Sequence, residues 1–368
     1  MDQATGTHQN ITKPKSLPRR LFDRSIGQFF TFSMNTIAGS TKRLPWARRR
    51  LRSIQVSRNI SYGPHSKVHQ LDVYMPRSHQ MPDVKTLSRL SSSPIDKGHE
   101  KPQLKKPFVL YLHGGGFRTL SKDTHWPFGL RFAEEGFVAF LINYRLTPQH
   151  VCPAGLEDCA LALDWILTHH DVLGIDLDQG MIAGESAGGN LTLALTLALI
   201  RPDEEPWAQR VFRHQWSPKM IAPACAFLEV SSEGRIDGEM PSFYMNRVNA
   251  LGRAYLNQSS RPDLASPLEE FNSDQVFTHP CPPVFVTVGD KDIVKRDSER
   301  LVDSLRRRGT PHEFVTYPGG IHAFHAAIFH PLAESCWRDH FRFWAQLKGD
   351  NVDCETESIN ASESVGEV

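Results

Sequence analysis

Short stretches that are apolar at nearly every position recur along the chain: FVLYL at 108–112, FVAFLI at 137–142, GMIA at 180–183 and VFVTV at 284–288. Runs of this length without polar alternation are expected of strands buried on both faces of a parallel sheet. Helical stretches lie between them. One opens at 153–158, an apolar one starts at Gly189, and a charged one covers 297–308, followed by another strand at 314–317. Strands alternating with helices predict an α/β fold with a mostly parallel central sheet flanked by helices.

Chemistry-bearing residues cluster where these strands end. Gly184-Glu185-Ser186-Ala187-Gly188 joins the strand at 180–183 to the apolar helix. A serine at such a corner sits on a strained turn with its hydroxyl exposed, and a helix N-terminus supplies partial positive charge beside it. His113-Gly114-Gly115-Gly116-Phe117 directly follows the strand at 108–112. Consecutive glycines leave backbone N–H groups bare, as a site that stabilises a developing oxyanion requires. Past the strand at 284–288 come Asp290 and Asp292, and past the strand at 314–317 comes His322. The chain order serine, aspartate, histidine is that of α/β-hydrolases rather than of chymotrypsin or subtilisin. A serine needs an adjacent base to become a nucleophile, and an imidazole titrating near pH 6.5 can take and return its proton.

With these motifs the chain resembles the hormone-sensitive-lipase-like esterases of the α/β-hydrolase superfamily. The matching stretches are HGGGF at 113–117, GESAGGN at 184–190, LDVYMP at 71–76, NYRLTP at 143–148 and PAGLED at 153–158, with Asp292 and His322 near the end. The resemblance covers roughly residues 68 to 348. It implies an α/β-hydrolase fold with a helical cap, and serine hydrolysis of carboxylic esters of small or medium acyl groups. It also implies a triad of Ser186, His322 and Asp292, with the family's acid pattern falling on Asp292 rather than Asp290. The implied oxyanion hole draws on Gly114, Gly115, Gly116 and Ala187. Glu185 departs from the Asp or Thr usual before the nucleophile and is expected to alter how the turn is braced. Amide hydrolysis of the arylformamidase type needs the same triad and is one alternative. A non-catalytic small-molecule binder of the same fold is the other, disfavoured by the presence of His322.

Composition narrows the remaining choices. The 368 residues carry a formal net charge of +1, which argues against nucleic acid as the main partner. No metal or other cofactor is expected, since the 17 histidines form no HExxH and the six cysteines no CxxC. Unpatterned cysteines suggest free thiols in a reducing compartment, so the expected localisation is cytoplasmic. Residues 1–60 read as a basic N-terminal segment. In it Phe22, Phe29, Phe30 and Phe32 lie between arginines and lysines, and they fit either a cap over the serine, contact with an anionic membrane surface, or organelle targeting. Residues 61–348 read as the catalytic domain, with 77–107 a Ser/Lys/Pro-rich flexible loop and about 203–280 carrying a cap insertion. Residues 349–368 read as a disordered acidic tail. Phe117 and the insertion's Phe243, Tyr244, Met245 and Val248 are candidates for the substrate pocket. The partner expected is a small-molecule ester; the sequence leaves the oligomeric state open.

Overall fold

The computed structural model describes residues 36, 38–89, 105–231 and 242–349 and the backbone of Ile359–Asn360; the side chains of 242–245 and 247 lie outside that description. Strands β1 (Ile54–Ser61), β2 (Gln70–Pro76), β3 (Lys106–Leu112), β4 (Val138–Ile142), β5 (Ile175–Glu185), β6 (Met220–Ala224), β7 (Val284–Gly289) and β8 (His312–Tyr317) form one sheet. Their spatial order is β1-β2-β4-β3-β5-β6-β7-β8, with Ile359–Asn360 alongside β8. β1 and β2 run antiparallel to their neighbours, and all pairings from β4 through β8 are parallel. β4, β6 and β7 are buried at every position, as strands covered on both faces must be.

Helices supply the two covering layers. One apolar cluster joins the sheet to the helices Ala154–Thr168, Ala187–Ile200 and Lys295–Arg307. The other joins its opposite face to Trp126–Glu134 and Pro331–Gln346. The helix Ala187–Ile200 is buried all round, which explains why its sequence shows no polar face. Lys295–Arg307 is amphipathic instead, burying Leu301, Val302 and Leu305.

Three expected boundaries move. The break at 60/61 falls inside β1, which pairs with β2 from Ile54 onward, so the sheet begins before residue 61. The helix Pro45–Leu51 packs with it: Ala47 is buried, Trp46 stacks on Trp126, and Arg50 Nε donates to Glu134 at 2.8 Å. The loop expected at 77–107 contains the helix Val84–Arg89, whose Leu87 is fully buried, and the first residues of β3; positions 90–104 lie outside the described residues. The insertion expected at about 203–280 is interrupted by β6, which pairs with both β5 and β7 and belongs to the core. What remains of the cap between β6 and β7 includes the helix Ser242–Leu256. Phe22, Phe29, Phe30 and Phe32, and the tail from 350 apart from Ile359–Asn360, lie outside the described residues. Among the described residues no helix is long and apolar enough to cross a membrane.

Candidate active site

Ser186 occupies the single residue between β5 and the helix Ala187–Ile200, with φ 57° and ψ −118°. Non-glycine residues rarely hold a positive φ, and such strain persists only where the surroundings enforce it. The enforcement is visible. Ser186 N–H donates to Ala224 O of β6 at 3.0 Å, and Ser186 O accepts from Phe227 N–H at 3.1 Å. Asn190 Nδ2 ties the same region together through Phe227 O and Ala265 O, each at 2.8 Å. The flanking glycines are a steric requirement. A Cβ on Gly188 would lie 1.9 Å from Leu112 O, and one on Gly184 2.6 Å from both Leu112 O and Gly188 O.

Loops at the same sheet edge bring the other two residues in. His322 follows β8, and its Nε2 lies 2.9 Å from Ser186 Oγ. Asp292 follows β7, and its Oδ1 lies 2.9 Å from His322 Nδ1 while accepting Val294 N–H at 3.0 Å. Asp290, the competing aspartate, is exposed and contributes its backbone N–H to Tyr317 O. Burial disfavours the charged imidazole of His322, but the hydrogen bond and charge of Asp292 outweigh it and raise its pKa above the ordinary histidine value. That tautomer, with Nδ1–H held by a carboxylate, leaves Nε2 as the acceptor facing the serine hydroxyl.

The glycine loop is divided in its duties. Gly114 N–H donates to Glu185 Oε1, so this amide is withdrawn from the expected oxyanion hole by a carboxylate that already satisfies it. Gly115 (φ 114°) and Gly116 (φ 61°) turn the loop, and a Cβ on Gly115 would lie 2.1 Å from Thr119 O. Among the described residues the N–H groups of Gly115, Gly116 and Ala187 have no hydrogen-bond acceptor. His113 anchors the loop's base: its Nδ1 donates to Gly114 O at 2.7 Å, its ring stacks on Tyr144, and Tyr144 OH donates to its carbonyl at 2.6 Å. Burial pushes the pKa of His113 down to about 3, so the ring is neutral.

Glu185 is the centre of a buried network that the sequence pointed to without resolving. Besides Gly114 it accepts Tyr111 OH at 2.5 Å and His125 Nε2 at 2.7 Å. Burial opposes its ionisation, yet the charge and hydrogen bond of His125, with the Tyr111 hydrogen bond, hold it down to about 2. His125 is likewise penalised by burial and more than compensated by Glu185, so its pKa is raised. Tyr111 and His125 carried no motif, and only the fold brings them to residue 185.

The expected pocket residues fare unevenly. Phe117 is 2% exposed, with its ring 3.7 Å from that of Tyr255 and nearly parallel to it, so it packs the cap and offers no surface to a substrate. Val248 is buried, and the side chains of Phe243, Tyr244 and Met245 lie outside the described residues. Leu251, which sequence reasoning passed over, reaches the site: a Cβ on Gly116 would lie 2.7 Å from its Cδ1. Helical spacing within Ser242–Leu256 was the available signal, since 248 and 251 share a face.

The profile of the α/β-hydrolase fold family matches residues 109–326. Esterase LipI of Mycobacterium tuberculosis is 28% identical over 232 residues, covering 60% of this chain and 69% of that protein. Hormone-sensitive lipase of Mus musculus is 34% identical over 142 residues, 37% of this chain and 18% of the lipase. The crystal structure of esterase B from Lactobacillus rhamnosis superposes with a TM-score of 0.68 at 17% identity, covering 90% of this chain and 95% of that one.

Proposed function

This chain belongs to the α/β-hydrolase fold family, and from that membership and the geometry of its site we propose that it is a serine hydrolase of carboxylic esters. The observation that carries the reading is the hydrogen-bonded series Asp292–His322–Ser186 at 2.9 Å per step, on a strained turn beside amides that have no acceptor among the described residues. Relatives named as esterases and a lipase support the same class.

The chemistry follows from the atoms. Ser186 Oγ attacks the ester carbonyl carbon while its proton passes to His322 Nε2. The carbonyl oxygen becomes an oxyanion within reach of the N–H groups of Gly115, Gly116 and Ala187, with the last at a helix N-terminus where partial positive charge adds to the donor. The C–O bond to the alcohol breaks, and the alcohol leaves with the proton from His322. A water then gives its proton to Nε2 and attacks the acyl carbon, and the acid departs as Ser186 regains its proton. Asp292 holds the imidazole tautomer and stabilises the imidazolium in both halves.

Small or medium acyl groups are the substrates we assign, because Leu251 of the cap helix closes directly on Gly116 and bounds the space beside the oxyanion loop. A fluorophosphonate probe should label the wild type and spare Ser186→Ala. Turnover of p-nitrophenyl esters of rising acyl length, beside N-formyl arylamines, should favour the esters and decline at long chains. Equal labelling of both proteins would remove Ser186 from its role, and faster formamide turnover would reassign the substrate class.

A further inference from the structure

The site has a neighbour that ester hydrolysis leaves unused. Cys225 directly follows β6, its backbone N–H donating to Thr287 O at 2.7 Å, and it is 1% exposed. One ligand atom each from Cys225, Asp292 and His322 lies within 4.8 Å of the others. The Oδ2 of Asp292 is buried and has no hydrogen-bond partner among the described residues. Sulfur, imidazole nitrogen and carboxylate oxygen together suit Zn²⁺ and its softer relatives and not Mg²⁺ or Ca²⁺, which want oxygen. A tetrahedral zinc with bonds of roughly 2.0–2.3 Å needs its ligand atoms about 3.3–3.8 Å apart. Closure therefore requires movement on the order of an ångström, and the His322 side chain, 31% exposed, can supply it by turning at the mouth of the site.

We propose that Cys225, Asp292 and His322 form an inhibitory binding site for a thiophilic divalent cation such as Zn²⁺ or Cd²⁺. The cation is a stopper and takes no part in turnover. Either imidazole nitrogen it could use is one that the triad needs, since Nδ1 faces Asp292 and Nε2 faces Ser186. On binding, the thiol gives its proton to solvent and the sulfur, one carboxylate oxygen and one imidazole lone pair form bonds to the metal. If the nitrogen is Nδ1, its proton moves by way of solvent to Nε2 and the ring stays neutral. No electrons are transferred, and water fills the fourth position. The inhibition rests on the catalytic roles assigned above, whereas the binding does not.

Two measurements test it on the full chain. In the first, p-nitrophenyl acetate turnover is followed as free Zn²⁺ rises in a non-chelating buffer, for wild type, Cys225→Ala and Cys225→Ser, with EDTA added at the end. Wild type should lose turnover and recover it with EDTA. Outer-shell partners alone are worth roughly 10–100-fold in metal affinity, so removing the sulfur should raise the inhibiting concentration by about tenfold or more. Variants inhibited at the wild-type concentration, or a wild type untouched by millimolar zinc, overturn the proposal. In the second, Cd²⁺ is titrated and the ultraviolet sulfur-to-cadmium charge-transfer band recorded. One equivalent should develop in wild type that is missing from Cys225→Ala and from Cys225→Ser, the pair guarding against one variant failing to fold. This readout needs no turnover. A Cys225-dependent band in a protein that cleaves no ester sinks the esterase reading alone, and an active esterase without that band sinks the cation site alone.

Discussion

Two carboxylate–histidine pairs meet at the end of β5, and they are built alike but placed differently. Asp292 and His322 are 2.9 Å apart, Glu185 and His125 2.7 Å, and Glu185 is the residue before Ser186. In each pair the carboxylate offsets the burial penalty on its imidazole and raises its pKa. The difference lies at the second nitrogen. His322 Nε2 faces the Ser186 hydroxyl, while His125 Nδ1 is spent on Ser121 O and Thr124 Oγ1. Beyond its histidine each carboxylate has a different hold: Glu185 accepts Gly114 N–H at the root of the glycine loop, and Asp292 accepts Val294 N–H of its own turn. A charged carboxylate–imidazole pair is thus a machine part or a fastening according to what the far side of the ring can reach.

The first way to break the contrast is to remove the moving pair. Ser186→Ala and His322→Ala should each lower kcat by about 10⁶, the loss seen when either residue of a protease triad is deleted. The double variant should cost little more than either single one, because the residues act as a unit. Asp292→Asn should cost about 10⁴ through the wrong tautomer, and Asp290→Asn should leave ester turnover near wild type. Stopped-flow or steady-state kinetics on one activated ester measures all of these. Reversed effects for 290 and 292 would put the acid two residues upstream.

The fastening is tested by Glu185→Gln, which keeps the shape and loses the charge. If Glu185 positions the glycine loop, misplacing the donors by an ångström should lower kcat by about 10². KM should hold, since those donors act mainly on the transition state. Affinity for an alkyl boronate, which presents a tetrahedral anion to the same amides, should fall in step with kcat. A purely structural role would instead reduce denaturation midpoint without that parallel loss; breaking one side of a buried ion pair costs about 3–5 kcal/mol. Glu185→Asp should restore part of the boronate affinity.

How much of this could be read from the chain differs by distance along it. The fully apolar runs marked β3, β4 and β7 because strands covered on both faces leave no polar alternation. Likewise the turn at Ser186 was legible because its glycines, strand and helix are contiguous. β6 was absorbed into an expected insertion because it is short and carries Pro223, a residue that argues against a central strand. The three-glycine setting of Gly114 is local and marks it as an oxyanion donor, whereas the carboxylate that occupies its N–H is 71 residues away. Phe117 looked like a pocket residue from its place beside the glycines; its stacking on Tyr255 is a contact between loop and cap that no local pattern encodes.

The smallest expected effect ties the two pairs together. In the free enzyme kcat/KM should rise with pH as His322 loses its proton, then level off. Asp292 raises the His322 pKa chiefly through its hydrogen bond and charge, against burial, and the charge of Glu185 adds a lesser push in the same direction. Raising that pKa favours the protonated, inactive imidazole, so the rising limb of the profile stands at higher pH than an ordinary histidine would give. Removing a negative charge must move the limb downward. Asp292→Asn should therefore shift the midpoint to lower pH clearly, on whatever residual rate remains. Glu185→Gln should shift it in the same direction by less, and the shift is trimmed further because His125 loses with Glu185 the partner that raises its pKa, and with it positive charge near the site. Profiles on an activated ester, with acylation shown to be rate-limiting, measure both midpoints. A larger shift for Glu185→Gln than for Asp292→Asn would mean that the kinetic titration reports the buried pair, and the distinction between moving part and fastening would have to be reversed.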